Sequence, residues 1–398
     1  MVHPVPTNAL AFDIAESPSA FLALEKDWRD LFTRAVSPSY CQSFDWLRAA
    51  WDNVASGNGC KLHIVVGRRE GRVVLIWPLI IDDWQVRLLA SDKLEYRGLL
   101  VEECTAADCW VQEAWAFVKN IKNVDIFLFQ DVPSTSPLAR LLGAEEQRCW
   151  KSETGSAAIR LGGFSSWNDY AVTLPKKLLS DQRRQWRRIA ANGAPVQFNI
   201  LDSTDEIEKN IDWIFHHKMA WLAEKGLKPV SFGSAEHRAF VRDTVMTARS
   251  SDGALLMGNL SVGDVTVAAG FGFLYRGAFT FYMFTYDLAW QTYSPARLWL
   301  EEFITWCIDN HVASFDFMPG DTGYKGIWAN DEMGVTDFMI PASIRGSTIA
   351  NWHGLAVAKW VDRAWIKAAF HILPIRWQRW ARRLFRAYPN YAGRIVRS

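Results

Sequence analysis

The sequence predicts an α/β fold in two repeated units followed by a basic helical tail. Three observations lead there. At 398 residues the chain exceeds what one hydrophobic core usually fills. Helix-period and strand-period segments alternate along it in an order that recurs after about residue 195. The charge is also uneven. From Arg345 onward eleven Lys or Arg face a single acid, Asp362, so residues 345–398 carry +10 while residues 1–344, with 33 basic and 42 acidic side chains, carry −9. The expected domains are 1–158, 159–344 and the tail 345–398.

In the first half, helical patterns at about 17–34 and 43–56 precede KLHIVVGRRE and GRVVLIWPLI, two strand-like runs joined at the Glu70, Gly71 turn. A short strand near 84–90, a helix near 107–119 and the apolar run VDIFLFQ at 124–130 complete the order ααβββαβ. That order predicts a sheet with helices packed on it. A connecting segment follows at about 159–195.

The second half repeats the order. A strand at 196–201 leads to a helix opened by Asp202, Ser203 and Thr204, then a helix at 235–249 and a hairpin from ALLMGNLSVG to DVTVAAGFGFLYRG. Next come FTFYMFTYD at 279–287, a helix at about 295–310, SFDFMPG at 314–320, GYKGIWA at 323–329 and a last strand, VTDFMIP. Two copies of one α/β unit are the simplest account, with a single large mixed sheet as the alternative.

Some function classes drop out. The N-terminal MVHPVPTNALAFDIAE has no positive segment followed by an apolar core, so it does not read as a secretory signal. The apolar run VVLIWPLII at 73–81 is far shorter than the ~20 residues needed to span a bilayer. Cys41, Cys60, Cys104, Cys109, Cys149 and Cys307 are scattered without metal-binding spacing and read as reduced thiols, so a cytoplasmic chain without a metal is expected. Phosphate-loop, GxGxxG, HExxH and GxSxG motifs are absent. His216 and His217, neighbours on a predicted helix, point to different faces and read as surface or core residues.

Ligands of open α/β sheets bind beyond the carboxyl ends of strands, where helices begin. Two such ends are rich in polar groups. After FTFYMFTYD come Tyr286, Asp287, Trp290, Tyr293, Ser294 and Pro295, and then a helix. Ser294 is placed to cap it and Pro295 suits its first turn, so free N–H groups at a positive dipole end suit a pyrophosphate. The bland alternative is an ordinary Ser-Pro helix start. In SFDFMPG and just beyond it stand Asp316, Asp321, Tyr324, Lys325 and Trp328. Acyl transfer from a thioester needs a base for the acceptor's proton, donors for the oxyanion and an acid for the thiolate. This segment offers the first and third. The alternative is a Gly-rich turn with Lys325 solvated or paired to Asp321.

The runs YDLAWQTYSPARLWLEEFI and FDFMPGDTGYKGIWA, with LPKKLLSDQRRQWRRIAANG upstream, resemble the GNAT-superfamily acetyltransferases of the cellulose and exopolysaccharide (CelD) type. The resemblance covers roughly 170–345. It implies tandem GNAT-like domains, the first degenerate, related to the Fem-type peptidyltransferases and using acyl-CoA or acetyl-CoA as co-substrate. It puts Ser294, Pro295 and Ala296 at the pyrophosphate of the cofactor, with Ala296 where the family commonly has Gly, and the neighbouring Tyr286 and Arg297 are expected cofactor contacts too. It also puts Tyr324 and Lys325 at the start of the helix that carries the thiolate-protonating phenol, and Asp321 where Glu is commoner.

Lys176, Lys177, Arg183, Arg184, Arg187 and Arg188 share adjacent stripes of one predicted helix, with Leu179, Trp186 and Ile189 on the buried side. Like charges at i,i+4 cost roughly 0.2–0.5 kcal/mol per pair. One charge-assisted bond to phosphate returns about 1.5–3 kcal/mol, which favours an anionic ligand over a solvated face. Lys177, Arg184, Arg188, Asp287, Trp290 and Trp328 are therefore the expected substrate contacts. In the tail, Lys359, Arg363 and Lys367 lie opposite Trp360 and Trp365, and Arg376, Arg379, Arg383 and Arg386 run beside Trp377 and Trp380. Such helices suit an anionic membrane surface, or they pack back on the body.

The expected function is N- or O-acyl transfer to a small-molecule or saccharide acceptor in polysaccharide or cell-envelope synthesis. Tyr324 is the expected acid, Asp316 or Asp321 the base or its orienter, and Lys325 a positioning group. Two alternatives use the same fold, a tRNA-dependent Fem-type transferase and a non-catalytic scaffold at the inner face of the membrane.

Overall fold

The computed structural model describes residues 10–89, 96–144, 150–227, 233–248, 254–319 and 323–357. Its first half runs β1 (Ala11–Ala15), α1 (Pro18–Ala23), α2 (Glu25–Arg34), α3 (Phe44–Ala50), β2 (Lys61–Arg69), β3 (Arg72–Asp82), β4 (Gln85–Leu88), β5 (Leu100–Val101), α4 (Ala107–Val118), β6 (Ile126–Pro133), α5 (Pro137–Ala144) and β7 (Trp150–Arg160). After α6 (Trp167–Ala171) and α7 (Lys176–Ala190), the second half runs β8 (Val196–Ile200), α8 (Thr204–Glu224), α9 (Ala235–Ala248), β9 (Ala254–Val262), β10 (Val265–Tyr275), β11 (Ala278–Tyr286), α10 (Pro295–Asp309), β12 (Ser314–Asp316), α11 (Lys325–Trp328), β13 (Asp331–Pro341) and α12 (Ile344–Val357). With α1 and α2 counted as one broken helix, both halves run β-α-α-β-β-β-α-β-α-β apart from the two-residue β5. The expected repeated α/β unit is present, and the first copy holds three elements more than the periodicity displayed.

Local chemistry accounts for the boundaries. Ser17 accepts from the Ala20 N–H and Pro18 opens α1, while Ser43 accepts from the Trp46 N–H to start α3. The β2–β3 hairpin turns through Glu70 and Gly71 at φ 52° and 82°, and the β10–β11 hairpin through Arg276 and Gly277 at 48° and 77°. Both left-handed pairs match the twist of the strands they join.

The chain forms two compact units. The first comprises residues 1–36, 55–152 and 336–398, and the second comprises 37–54 and 153–335. In the first unit the sheet order is β1-β2-β3-β4-β6 and then the end of β13, with β4 parallel to β6 and the pairs β1–β2, β2–β3 and β3–β4 antiparallel. Its core gathers Trp77, Trp110, Trp115, Phe127 and Phe129 from the sheet and α4, with Phe338 and Ile340 of β13.

The second unit orders its strands as β7-β12-β11-β10-β9-β8. On one face α10 lays Leu298, Trp299, Phe303 and Ile304 against Phe279, Phe281 and Phe315. Trp299 donates its indole N–H to the Gly258 carbonyl at 2.9 Å, so the large ring is buried without stranding its donor. The other face carries α3, α8 and α9, where Trp46 packs edge-on against Phe240, Phe273 and Tyr282. Thus α3, from the start of the chain, builds the core of the second unit.

The pairing of β10 with β11 shifts register at Phe271/Gly272, where Tyr282 is the extra residue. A Cβ on Gly272 would sit 2.1 Å from the Thr280 carbonyl oxygen and 2.5 Å from the Phe279 ring. Gly272→Ala should therefore lower stability by about 1–3 kcal/mol through overpacking, read as a fall in the urea midpoint. An unchanged midpoint would mean that the bulge relaxes freely.

Candidate active site

Strand β11 runs parallel to β12, but only Ala278–Thr280 pair with Ser314–Asp316. Beyond Thr280 the strands part. The Asp287 N–H donates to the Val267 carbonyl of β10, and antiparallel strands alternate the edge to which each peptide turns. Phe284 and Tyr286 therefore turn their N–H and C=O groups the other way, into the gap left by β12. That gap, lined by backbone donors and acceptors, is the core of the candidate site.

Its floor beyond β12 is held by Asp316 and Lys325. Asp316 is buried and accepts from the Ser156 hydroxyl at 2.9 Å and the Met318 N–H at 2.8 Å, which fixes Met318 in its left-handed conformation (φ 61°). The Lys325 ammonium donates to the carbonyls of Phe317 and Met318 at 2.9 and 3.0 Å. Asp316 thus organises a strand end, a different task from the base role expected for it. Tyr324, at the N-cap position of α11, is 54 % exposed. Asp321 lies outside the described residues.

The gap leads, past Tyr286, to a cavity of about 340 Å³ lined by Asp181, Arg184, Gln185, Tyr286, Gln291 and the helix start Ser294–Arg297. Every residue expected at the cofactor lines it, and so does Arg184. Ser294 stands at the N-cap of α10 with φ 53° and ψ 48°, and its side chain makes no capping bond. A left-handed N-cap differs from the extended one that aims a hydroxyl at the first turn. Pro295 has no N–H and the Arg297 N–H already donates to the Ser294 carbonyl at 2.9 Å. Ala296 is thus the first-turn residue whose N–H has no intrahelical acceptor, at the positive end of the helix dipole.

The basic helix α7 is locked to α10 by a buried polar contact. Glu301 accepts from Gln182 Nε2 at 2.6 Å and from the Trp186 indole at 2.9 Å, while Gln182 also reaches the Arg297 carbonyl at 3.3 Å. Burial pushes the Glu301 carboxyl above the usual range, Glu302's charge adds to this, and the donors oppose it. The docking brings Arg184, paired with Asp181 at 3.1 Å, to the cavity. Lys177 is exposed seven residues earlier, about 10 Å along the helix axis, and does not line the cavity. Arg188 donates to the Thr292 carbonyl at 2.9 Å and lies 5.4 Å from the Tyr293 ring centre. It braces the 288–293 turn.

Three further expected contacts are dispersed. Trp290 packs beside Tyr293, with ring centres 5.5 Å apart. Asp287 caps the Ala289 N–H at 2.9 Å and lies 3.8 Å from His217 Nδ1. Trp328 is 2 % exposed, inside the core with Trp167 nearby, and its carbonyl accepts from the Tyr170 hydroxyl. It is a packing residue rather than a substrate contact, because α6 closes over it.

Helix α8 supplies residues that the sequence reading passed over. Lys218 donates to the Phe284 carbonyl at 3.3 Å, and its ammonium lies 4.9 Å from the Trp221 ring centre. Desolvation lowers its pKa first and the charge of Lys325 second, to about 8. His217 stacks on Trp213 at 4.1 Å, and burial lowers its pKa despite the opposing pull of Asp287.

Residues 176–326 match the family model described as an acetyltransferase (GNAT) domain. No curated protein sequence matches the chain. Among solved structures it is similar to FemX, at 7 % identity and TM-score 0.55 over 79 % of this chain and 95 % of that one. It is also similar to the C-terminal domain of a putative lysylphosphatidylglycerol synthetase from Agrobacterium fabrum, at 10 % identity and TM-score 0.54 over 86 % and 98 %. A third likeness is to a conserved protein of unknown function from Bacteroides thetaiotaomicron, at 13 % identity and TM-score 0.51 over 83 % and 99 %. These are likenesses of fold. The second unit thus contains a GNAT-superfamily acetyltransferase domain, and the cavity lies within the matched segment.

The raised Glu301 carboxyl fixes the sign of one pH effect. A carboxyl with a folded pKa above its unfolded value stabilises fully below the unfolded value and loses that contribution as pH rises through the folded one. The stability of Glu301→Gln relative to wild type should therefore increase between pH 4 and pH 7 in urea titrations. A constant difference would contradict the raised value.

Proposed function

We propose that the protein transfers an acyl group from acyl-CoA to an amine or hydroxyl, and that the donor's pyrophosphate sits at the start of α10. The observation that carries this reading is the cavity itself, where the Ala296 N–H, Arg184 and Arg297 converge beside the unpaired edge of β11. Two guanidinium groups and a helix N-terminus complement a dianionic pyrophosphate. The exposed edge at Phe284 and Tyr286 offers hydrogen bonds to the extended, amide-containing arm of the donor, as an added strand would take them.

In the reaction the acceptor attacks the thioester carbon, and a backbone N–H of the β11 edge stabilises the oxyanion. The C–S bond then breaks and the Tyr324 phenol protonates the departing thiolate. Lys325 keeps the turn that presents Tyr324 bound to the end of β12. An acceptor from polysaccharide or cell-envelope synthesis follows from the family resemblance of the 286–329 segment.

A second reading, with aminoacyl-tRNA as donor, draws on the fold similarity to FemX and on the exposed Lys176, Lys177, Arg183 and Arg187 of α7 beyond the cavity. Neutralising several phosphates makes binding fall steeply with salt. The two donors are therefore separable by one titration series.

Calorimetry with acetyl-CoA and longer acyl-CoAs should show micromolar binding that Ala296→Trp abolishes and that Arg184→Gln or Arg297→Gln each weakens about tenfold, the equivalent of one charge-assisted bond. No binding to any acyl-CoA, alongside salt-sensitive binding of aminoacyl-tRNA, would transfer the site to the second reading. Tyr324→Phe should leave acetyl-CoA affinity unchanged and slow thiol release by roughly 10²-fold or more. Unchanged thiol release would remove the phenol from the mechanism.

A further inference from the structure

Two ammonium groups meet at the gap between β11 and β12. Lys218 reaches it from α8 and is bonded to the Phe284 carbonyl on the open edge of β11. Lys325 reaches it from α11 and is bonded to the carbonyls just past the end of β12. Each lysine is tied to one of the two diverging strands, and the charge of one is felt by the other. Placing like charges in a partly desolvated site is costly, and the cheaper state leaves one amine neutral. The partner that loses its proton is Lys218. Its side chain is half-buried between Trp221 and the strand, whereas Lys325 has two carbonyl acceptors for its ammonium. Asp287, the carboxylate at the end of β11, is engaged with the Ala289 N–H and sits beside His217.

We propose that Lys218, held against the open edge of β11 across the gap from Lys325, is the base that removes the acceptor's proton. This rests on the acyl-CoA reading above. As the acceptor's nitrogen or oxygen bonds to the acyl carbon, its proton passes to the Lys218 amine. The C–S bond breaks, the thiolate takes the Tyr324 proton, and the Lys218 ammonium and Tyr324 phenolate re-equilibrate with water. Neither Asp316, committed to Ser156 and Met318, nor a metal is needed for the proton transfer. At pH 7 about a tenth of a group titrating near 8 is neutral, against less than a thousandth of an ordinary lysine.

The test uses the full chain and needs no knowledge of the natural acceptor. Trace labelling with acetic anhydride across pH 6–11, read by peptide mass spectrometry, should give Lys218 a midpoint near 8, and Lys325→Met should move that midpoint upward. Acetyl-CoA hydrolysis, with water as acceptor, should rise with pH through the same midpoint. Lys218→Arg, which cannot lose its proton, should lower it at least tenfold with acetyl-CoA affinity intact, and Lys325→Met should shift its profile upward. A Lys218 midpoint like that of surface lysines, or an unchanged hydrolysis profile in a Lys218→Arg protein that still binds acetyl-CoA, overturns the assignment and spares the donor reading. Failure of wild type to bind acetyl-CoA removes both.

Discussion

Three residue pairs between β11 and β12 hold the second unit's candidate site together, and the proposed chemistry begins where that pairing stops. A central strand that loses a neighbour normally leaves backbone groups without partners, and buried backbone groups are almost always satisfied. Here the open edge is tolerated because its polar groups face a gap accessible to side chains and ligands. One side chain, Lys218, already occupies an acceptor on it. Next to it, the register shift at Gly272 changes the twist of β11 and depends on a residue without a side chain. An open edge, a bulge that aims it and a helix start at its end are three parts of one arrangement.

The electrostatics follow from how α7 is fastened. Helix α7 bears six basic residues, and only its docking through Glu301 decides which of them face the start of α10. The helix of the first unit that corresponds to α10 in the element order, α4, has a different surrounding. Its first turn carries Asp108, and Glu102 and Glu103 precede it, with Glu102 paired to Arg34 and Arg72. Asp108 is itself paired to Arg140 at 2.7 Å, and no side chain caps the helix start. One topology thus appears twice, once with a helix start that lines a cavity and once with acidic side chains around the start.

Much of this was readable in the chain because it depends on local chemistry. Ser294-Pro295 marks a helix start whatever surrounds it, and the alternating strand patterns located the end of β11. Those signals led to Tyr286, Ser294 and Pro295, the family resemblance extended them to Ala296 and Arg297, and the helical stripe of basic residues led to Arg184. Other residues acquire their roles only through packing. Trp328 reads as a cleft aromatic, but the core encloses it. Arg188 reads as an anion ligand, but a backbone carbonyl takes it. Lys218 gave no signal, since nothing near it in sequence reveals that Phe284 and Lys325 will surround it. Strands β1 and β7 and helix α5 were missed where short or mixed polar patterns kept no clear period. The assignment of residues 37–54 to the second unit is a purely long-range fact.

That exchange has a consequence for the order in which the protein is made. The first unit's sheet is finished by the end of β13, residues 336–341, while α3 and the last part of β7 belong to the second. As the chain emerges from the ribosome, the first unit lacks its closing strand until most of the second has been synthesised. It must wait with an unprotected sheet edge, which is a template for pairing with other chains. The first unit's sheet can therefore be completed only late in translation, and a stop codon before residue 336 would remove its closing strand.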